Sequence, residues 1–468
     1  MKFLRKFAAL FLILVLSMSL FGCKKEVAAP QKNYNGIELV YYKMFDDSDT
    51  MQPIINDYVV KHPGLKIRYR KFTDFNEYES LILNEMAEGE GPDIFSMPNT
   101  WFASNYKKLT PVPETYGTPK DFASTFVDVA YKDLVRGDAD GVEKIYGVPM
   151  YVDTLALFYN KGHFEDRIPQ SGRPSATWEG IKEDVYLLNK PSEYPGLFDV
   201  SGIAMGRVDN VSRALDIWYL LLLQNGANFY NENMSRVVFA SRSADYPALS
   251  AMDLYTSFSD ASTKNFSWNE MSTENYLGKE IEVFANGSVS MIIGYSYYYQ
   301  QILDYISKIK GSDKSFVSKD MVKIAPIPQI YDPNVSTQKR VAYANYFAEG
   351  VSRNSENADI AWDFLLFLSN KKNLQNYNAV THRPASRRDL IDEQSKDPVY
   401  GVFATQVGYA ESFPIVNDGV FAKVFTNLIT KANENGANLA ELVKAQDELS
   451  KLLPSTGLLT KIVPQTAK

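Results

Sequence analysis

From Glu38 to Met97 the sequence alternates short apolar strands with amphipathic helical stretches, an order that implies a parallel sheet with helices on both faces. Glu38 to Lys43 reads as a strand. Asp46-Asp47-Ser48-Asp49 then offers N-cap side chains to a helix around Ile54, Ile55, Tyr58 and Val59, which His62-Pro63-Gly64 stops. Leu65, Ile67 and Tyr69 alternate with Lys66, Arg68 and Arg70, as in a half-buried strand. A helix around Leu81, Ile82 and Met86 and a short strand from Asp93 to Met97 close the unit.

The pattern resumes after Gly147. Thr154 to Tyr159, Gly202 to Gly206, Val289 to Ile293 and Val322 to Ile327 read as strands. Thr177 caps a helix carrying Trp178, Ile181, Val185 and Leu188. Ser212 to Asn225 is a strongly apolar helix ended by Gly226 in the left-handed conformation. Helices follow over Tyr297 to Ile309, Ala358 to Leu368 and two stretches between Asp418 and Leu453. Trp178, Trp218 and Trp362 fall on helix faces and read as core. No long Pro/Gly/Ser linker interrupts this body, which favours two α/β lobes joined by short extended crossovers.

The first residues bear on compartment. Lys2, Arg5 and Lys6 precede an apolar run from Phe7 to Phe21, too short for the roughly 20 residues of a membrane span but suited to a signal peptide. Ser19-Leu20-Phe21-Gly22-Cys23 resembles the lipobox of bacterial lipoproteins, which implies cleavage after residue 22 and lipidation of Cys23. Residues 23–36 then read as a polar tether. Removing residues 1–22, with their three basic side chains, from a 468-residue chain of net charge −7 leaves 446 residues and −10. Such an acidic body argues against nucleic-acid binding. A single cysteine excludes an internal disulfide and a Cys-based zinc site, so stability rests on core burial.

Several segments together resemble family 1 extracellular solute-binding proteins, the maltose-binding-protein-like receptors of ABC importers. The most specific runs from Gly147-Val148-Pro149 to Tyr159-Asn160-Lys161, similar to the family's first hinge. Gly91-Pro92-Asp93-Ile94, Asn99-Thr100-Trp101, Pro174 to Trp178, Phe284 to Met291, Ala361 to Leu365 and Arg383-Pro384-Ala385 follow in the family's order. The resemblance implies a two-lobed α/β fold of the periplasmic-binding-protein type (type II), each lobe a mixed or parallel sheet flanked by helices. Crossings are expected near Tyr151, Ala342 and Pro384. One lobe would take residues 37–151 plus 343–384, the other 152–342 plus 385–468.

The resemblance also implies a monomeric, lipid-anchored receptor outside the cytoplasm that binds a sugar or oligosaccharide between its lobes and delivers it to permease subunits, with no cofactor. A sugar needs aromatic platforms for its faces and amides or carboxylates for its hydroxyls. Open α/β sheets place such groups at strand carboxyl ends and hinges. The candidates are Phe45, Asp46, Asn99, Trp101, Tyr151, Asp153, Asn210, Tyr295, Tyr297, Asn345 and Arg383, and the resemblance puts Asp153 where the family holds a sugar-binding carboxylate. Other roles stay open. Asp46 serves equally as a helix cap, Arg383 as a hinge ion pair, and Asp153 as a strand-end cap or the partner of Arg383. Phe45 stands where many relatives carry Trp, and His382 where many carry Gly.

Two other classes are open. A receptor for a peptide or polyamine shares the fold. An extracellular glycoside hydrolase would need two placed carboxylates, but the sequence has no G-x-S-x-G, H-E-x-x-H or P-loop motif. Asp46, Asp47 and Asp49 hint at calcium but lack the Gly and terminal Glu of an EF-hand loop. A phosphate ligand would call for convergent basic residues, of which only Arg383 is placed to help.

Overall fold

The computed structural model describes residues 34–137, 141–274, 279–310, 316–334 and 337–458. The expected signal segment, Cys23 and the tether up to residue 33 lie outside the described residues.

The first lobe is built on a six-stranded sheet. Glu38–Met44 lies between Lys66–Phe72 and Ile94–Pro98 and runs parallel to both. Lys66–Phe72 is the outer strand, and its alternation follows from that place, with Ile67 and Tyr69 turned inward and Lys66, Arg68 and Arg70 to solvent. The helix Phe75–Ala87 starts at Asp74, whose carboxylate accepts from the Glu77 N–H at 2.9 Å. The helix Ser48–Lys61 starts differently. Asp47 gives no side-chain cap and instead pairs with Lys71 across the surface at 2.5 Å.

The sheet is mixed, not parallel throughout. Phe347–Ser352 inserts beside Ile94–Pro98 and runs antiparallel to it, matching Phe347 with Pro98 and Val351 with Ile94. Leu109–Thr110 and Val148–Pro149 pair with its other edge. Local patterning encodes adjacent elements, whereas this strand arrives only after the chain has built much of the second lobe. That lobe holds a three-stranded sheet in which Ala156–Asn160 lies antiparallel to both Met291–Gly294 and Val322–Ala325. The strand expected over Gly202 to Gly206 is reduced to a single bridge, Ser201 with Val289, and one further bond from Ala204 N to Met291 O at 3.0 Å. Helices form as the periodicity predicts over Trp178–Leu188, Ala214–Gln224, Tyr298–Ile309, Ala358–Leu368, Asp418–Asn435 and Leu439–Ser450. Trp178, Trp218 and Trp362 are buried.

Two hydrophobic cores divide the chain. One runs from Leu39 to Val152 and resumes at Ala344. The other begins at Leu155, runs to Tyr343, and resumes with Phe403 and Phe413 to Leu449. Leu390 still packs with the first core, and Val407 and Ala410 lie against it too, so residues 385–418 follow the seam between the lobes. A small hinge sheet ties the crossings together: Ala342–Asn345 pairs antiparallel with Asp153–Thr154 and parallel with Ala410–Glu411. Val152 N donates to Pro384 O at 3.1 Å. Among the described residues no helix is long and apolar enough to cross a membrane.

Candidate functional site: the cleft between the lobes

A cavity of about 710 Å³ opens where the carboxyl ends of the first sheet's parallel strands meet the hinge strands and the second lobe. This size falls within the range of small-molecule sites, roughly 300–1,000 Å³.

The wall from the first lobe is aromatic. Phe45 is 44% exposed and ends its strand in a three-residue turn that Asp46 N closes onto Met44 O at 2.9 Å. Its φ is +68°, a conformation that costs a side-chain-bearing residue on the order of 1–3 kcal/mol. The turn aims the ring at the cleft, edge-on to Phe347 at 5.7 Å. Phe75 lies 6.2 Å from Phe347 and 5.2 Å from Trp101, which extends the row.

Behind this wall lies a buried ion network. Arg383 Nη1 reaches Asp46 Oδ1 at 2.7 Å and Tyr377 Oη at 2.6 Å, and its guanidinium covers the Tyr151 ring at 4.2 Å. Lys43 pairs with Asp46 at 3.3 Å and, more closely, with Glu349. Burial alone would raise the Asp46 carboxyl, but Lys43 and Arg383 outweigh it and hold the group below its ordinary value. Asp46 is thus the anchor of Arg383, and neither a helix cap nor part of the cavity wall.

Asp153 lines the cavity from the hinge but is largely occupied. It accepts from Ser296 Oγ at 2.6 Å, from Ser296 N at 3.2 Å and from Thr154 N at 2.9 Å. Burial pushes its carboxyl up to about 6, against the pull of those donors and of Arg383. Its cross-strand partner Asn345 also lines the cavity.

The second lobe supplies the polar wall. Tyr295 and Tyr297 stack with ring centres 6.0 Å apart, and Arg213 lies over both at 5.9 and 6.0 Å. Arg213 pairs with Asp216 at 3.6 Å. Burial raises the Asp216 carboxyl, with Arg213 opposing. Asp418, in the first turn of its helix, accepts from Trp101 Nε1 at 2.5 Å. Burial lifts it to about 6, with the Trp101 bond opposing and Glu79 and Asp216 adding to the rise.

Seven of the eleven candidates therefore line one cavity: Phe45, Tyr151, Asp153, Tyr295, Tyr297, Asn345 and Arg383. Four do not. Besides Asp46, Asn99 is spent on Asp133 and on the Tyr346 N–H, and Asn210 is held by the Trp268 indole at 2.8 Å and Asn269 O at 2.7 Å. Trp101 is not part of the cavity lining; it stands behind Phe75 and donates its indole N–H to Asp418, both of which line it. The strand-end rule locates a residue but not its rotamer, so it placed these four too near. Sequence reading missed Arg213, Asp216, Phe75, Phe347, Tyr343 and Asp418 on the wall. Phe75 carries the same strand-end signal as Phe45, and Arg213 and Asp216 stand at the start of the apolar helix Ala214–Gln224, a few residues after Asn210. Two arginines thus face the cavity instead of one, each with its own aspartate. His382 takes the left-handed conformation a Gly would, at φ +55°, and stacks flat on Tyr400 with ring centres 4.8 Å apart. Among the described residues no group of three His, Cys, Asp or Glu is placed to hold a metal.

Residues 46–375 match the family described as bacterial extracellular solute-binding protein. The chain belongs to that family. As a solute-binding protein it is similar to the galactooligosaccharide-binding protein of Bacillus subtilis (strain 168), at 25% identity over 162 residues. That match takes in 34% of this chain and 36% of the relative, about a third of its length. Among solved structures it resembles the sugar-binding protein MalE of Xanthomonas citri, with TM-score 0.69 and 15% identity over 89% of this chain and 97% of the other. The cyclic alpha-maltosyl-1,6-maltose binding protein of Arthrobacter globiformis follows at 0.67 and 16%, covering 89% and 99%. An ABC transporter solute-binding protein of Thermotoga lettingae, bound with alpha-D-tagatose, gives 0.63 and 18%, also covering 89% and 99%. These likenesses establish the type II two-lobed fold.

Proposed function

We propose that this solute-binding protein is a lipid-anchored receptor outside the cytoplasm that binds a sugar or oligosaccharide in the interlobe cleft and hands it to the permease of an ABC importer. The observation that carries the reading is the pairing of unlike walls across one cavity. Phe45, Phe75 and Phe347 offer rings to the apolar faces of a pyranose, and Asp216, Asp418, Asn345 and the tyrosine hydroxyls oppose them with acceptors and donors for its rim. Each buried hydroxyl left without a partner costs about 1–3 kcal/mol, so a hydroxyl-rich guest needs a wall of this density. The sugars named for the relatives above support the same class.

Binding proceeds without bond chemistry. Ligand held by both walls favours the closed arrangement by its differential affinity for it, with the hinge strands as the pivot. Cys23 carries the anchor in this reading, and the protein acts as a monomer. A thermal-shift screen against mono- and oligosaccharides, amino acids and polyamines tests the reading, because a ligand bound only to the native state raises the melting temperature. A rise with oligosaccharides and no released product is expected. A rise only with amino acids or polyamines overturns the sugar assignment, and steady turnover of glycosides overturns the receptor.

A further inference from the structure

A second cavity, of about 520 Å³, lies apart from the cleft on the seam between the lobes. One side is formed by the helix Asp128–Leu134 and the strands Val135–Gly137 and Glu143–Ile145. The loop around Asn228 closes the other side, and Ser412 to Pro414 run along the seam between. Tyr230 Oη donates to Pro414 O at 2.6 Å and holds the loop to that segment.

The acids on this wall are already satisfied. Asp133 accepts from Asn99 at 2.9 Å, Tyr346 at 2.8 Å and Ser412 at 2.6 Å. Glu143 accepts from Tyr131 at 2.8 Å, and Glu411 pairs with Lys339. The carbonyls ending the helix Ala214–Gln224 are taken by the N–H groups of residues 225–227. The cations are not satisfied. Arg136 is only 5% exposed, yet it forms no ion pair among the described residues. Its Nη1 donates to Val135 O at 3.1 Å and to Lys132 O, and its Nε has no partner. Lys132, exposed at the rim, is also unpaired among the described residues. A buried guanidinium with no ion-pair partner among the described residues is unfavourable, and burial accordingly pushes Arg136 below its ordinary value, with the charge of the nearby Asp133 and the tyrosines Tyr346 and Tyr106 opposing.

The geometry points to a binding site for a small oxyanion, a carboxylate or a phosphate, held by Arg136 and Lys132 in this seam cavity. A guanidinium presents parallel N–H donors that match both groups. The spare donor capacity and the volume beside it are then used by one ligand.

The test titrates the mature protein, without sugar, with succinate, inorganic phosphate or chloride at matched ionic strength, and follows melting temperature and calorimetric heat. Succinate or phosphate should raise the melting temperature saturably beyond the chloride control. A response to succinate alone assigns a carboxylate, and to phosphate alone a phosphate. Arg136→Gln should abolish the response. Asn228→Asp, which places a negative charge at an exposed point of the wall outside the cleft, should weaken the oxyanion at least tenfold. No shift beyond chloride, or a shift unchanged in Asn228→Asp, overturns the proposal. That second variant leaves Arg136 and its carbonyl bonds intact, so it decides the matter even where Arg136→Gln fails to fold.

Discussion

The indole N–H of Trp101, in the first lobe, donates to the carboxylate of Asp418, in the second, at 2.5 Å. Alongside it, Ile415 N donates to Thr100 O at 3.0 Å, so the two lobes are latched at the edge of the cleft by a side-chain bond and a backbone bond. Trp101→Phe keeps an aromatic ring beside Phe75 and removes the donor. A hydrogen bond to a charged acceptor contributes about 1.5–3 kcal/mol, and partial exposure places this one near the lower figure. The variant should open the lobes more readily, read as a larger radius of gyration in solution scattering. Scattering identical to the parent's would show that the bond holds nothing shut.

Asp418 should also make stability depend on pH. Its carboxyl is raised to about 6, above the unfolded value near 3.9, so the folded state binds the extra proton between those limits. That contribution is fully present below about pH 4 and is lost as pH rises through 6. Asp418→Asn keeps an acceptor for Trp101 and cannot ionise. Relative to the parent, it should gain about 1–3 kcal/mol in urea unfolding between pH 4 and pH 7. A constant difference across that range would contradict the assignment.

Glu349 and Lys43 form a fully buried ion pair inside the first sheet, with Ser96 Oγ donating to Glu349 at 2.9 Å. Glu349→Gln should cost about 3–5 kcal/mol, because it leaves a buried ammonium with Asp46 as its one remaining carboxylate partner among the described residues. Replacing both, as Lys43→Met with Glu349→Leu, should recover much of that loss. Chemical denaturation of the single and double variants measures it, and a double variant weaker than the single would refute this account.

Phe45 separates affinity from stability. Phe45→Gly removes a ring that is 44% exposed, so little core is lost, and relieves a φ of +68°. Melting should stay level or rise by up to about 1 kcal/mol equivalent, and affinity for the cleft ligand should fall roughly tenfold. Loss of stability with unchanged affinity would place the ring in the core and not at the ligand.

The sequence made the elements legible where a period and a stop signal coincide. Thr177 caps its helix through a bond from Gly180 N at 3.1 Å, and Gly226 ends the apolar helix at φ +79°. It was less informative where a long-range partner decides. Nothing local marks Phe347–Ser352 as antiparallel to Ile94–Pro98, or tells that Asp46 turns back toward Arg383 and Lys43 instead of outward. The same limit governs the site. Hinge residues such as Tyr151 and Asn345 sit on a backbone that fixes their direction, whereas Asn99 and Asn210 follow strands or loops whose neighbours, Asp133 and Trp268, could not be foreseen. Arg213 and Asp216 were hidden because the helix they open reads as core from Ile217 onward.

The placement of Phe347–Ser352 in the middle of the first sheet bears on the order in which the protein can assemble. Roughly 250 residues separate that strand from the edge it covers at Ile94–Pro98, so a growing chain carries an unfinished sheet until most of it has been made. A half-built sheet with a bare central edge cannot settle into its final form. Closing that edge waits on a contact of long sequence separation, so completion of the first sheet is expected to be a late and slow step in folding.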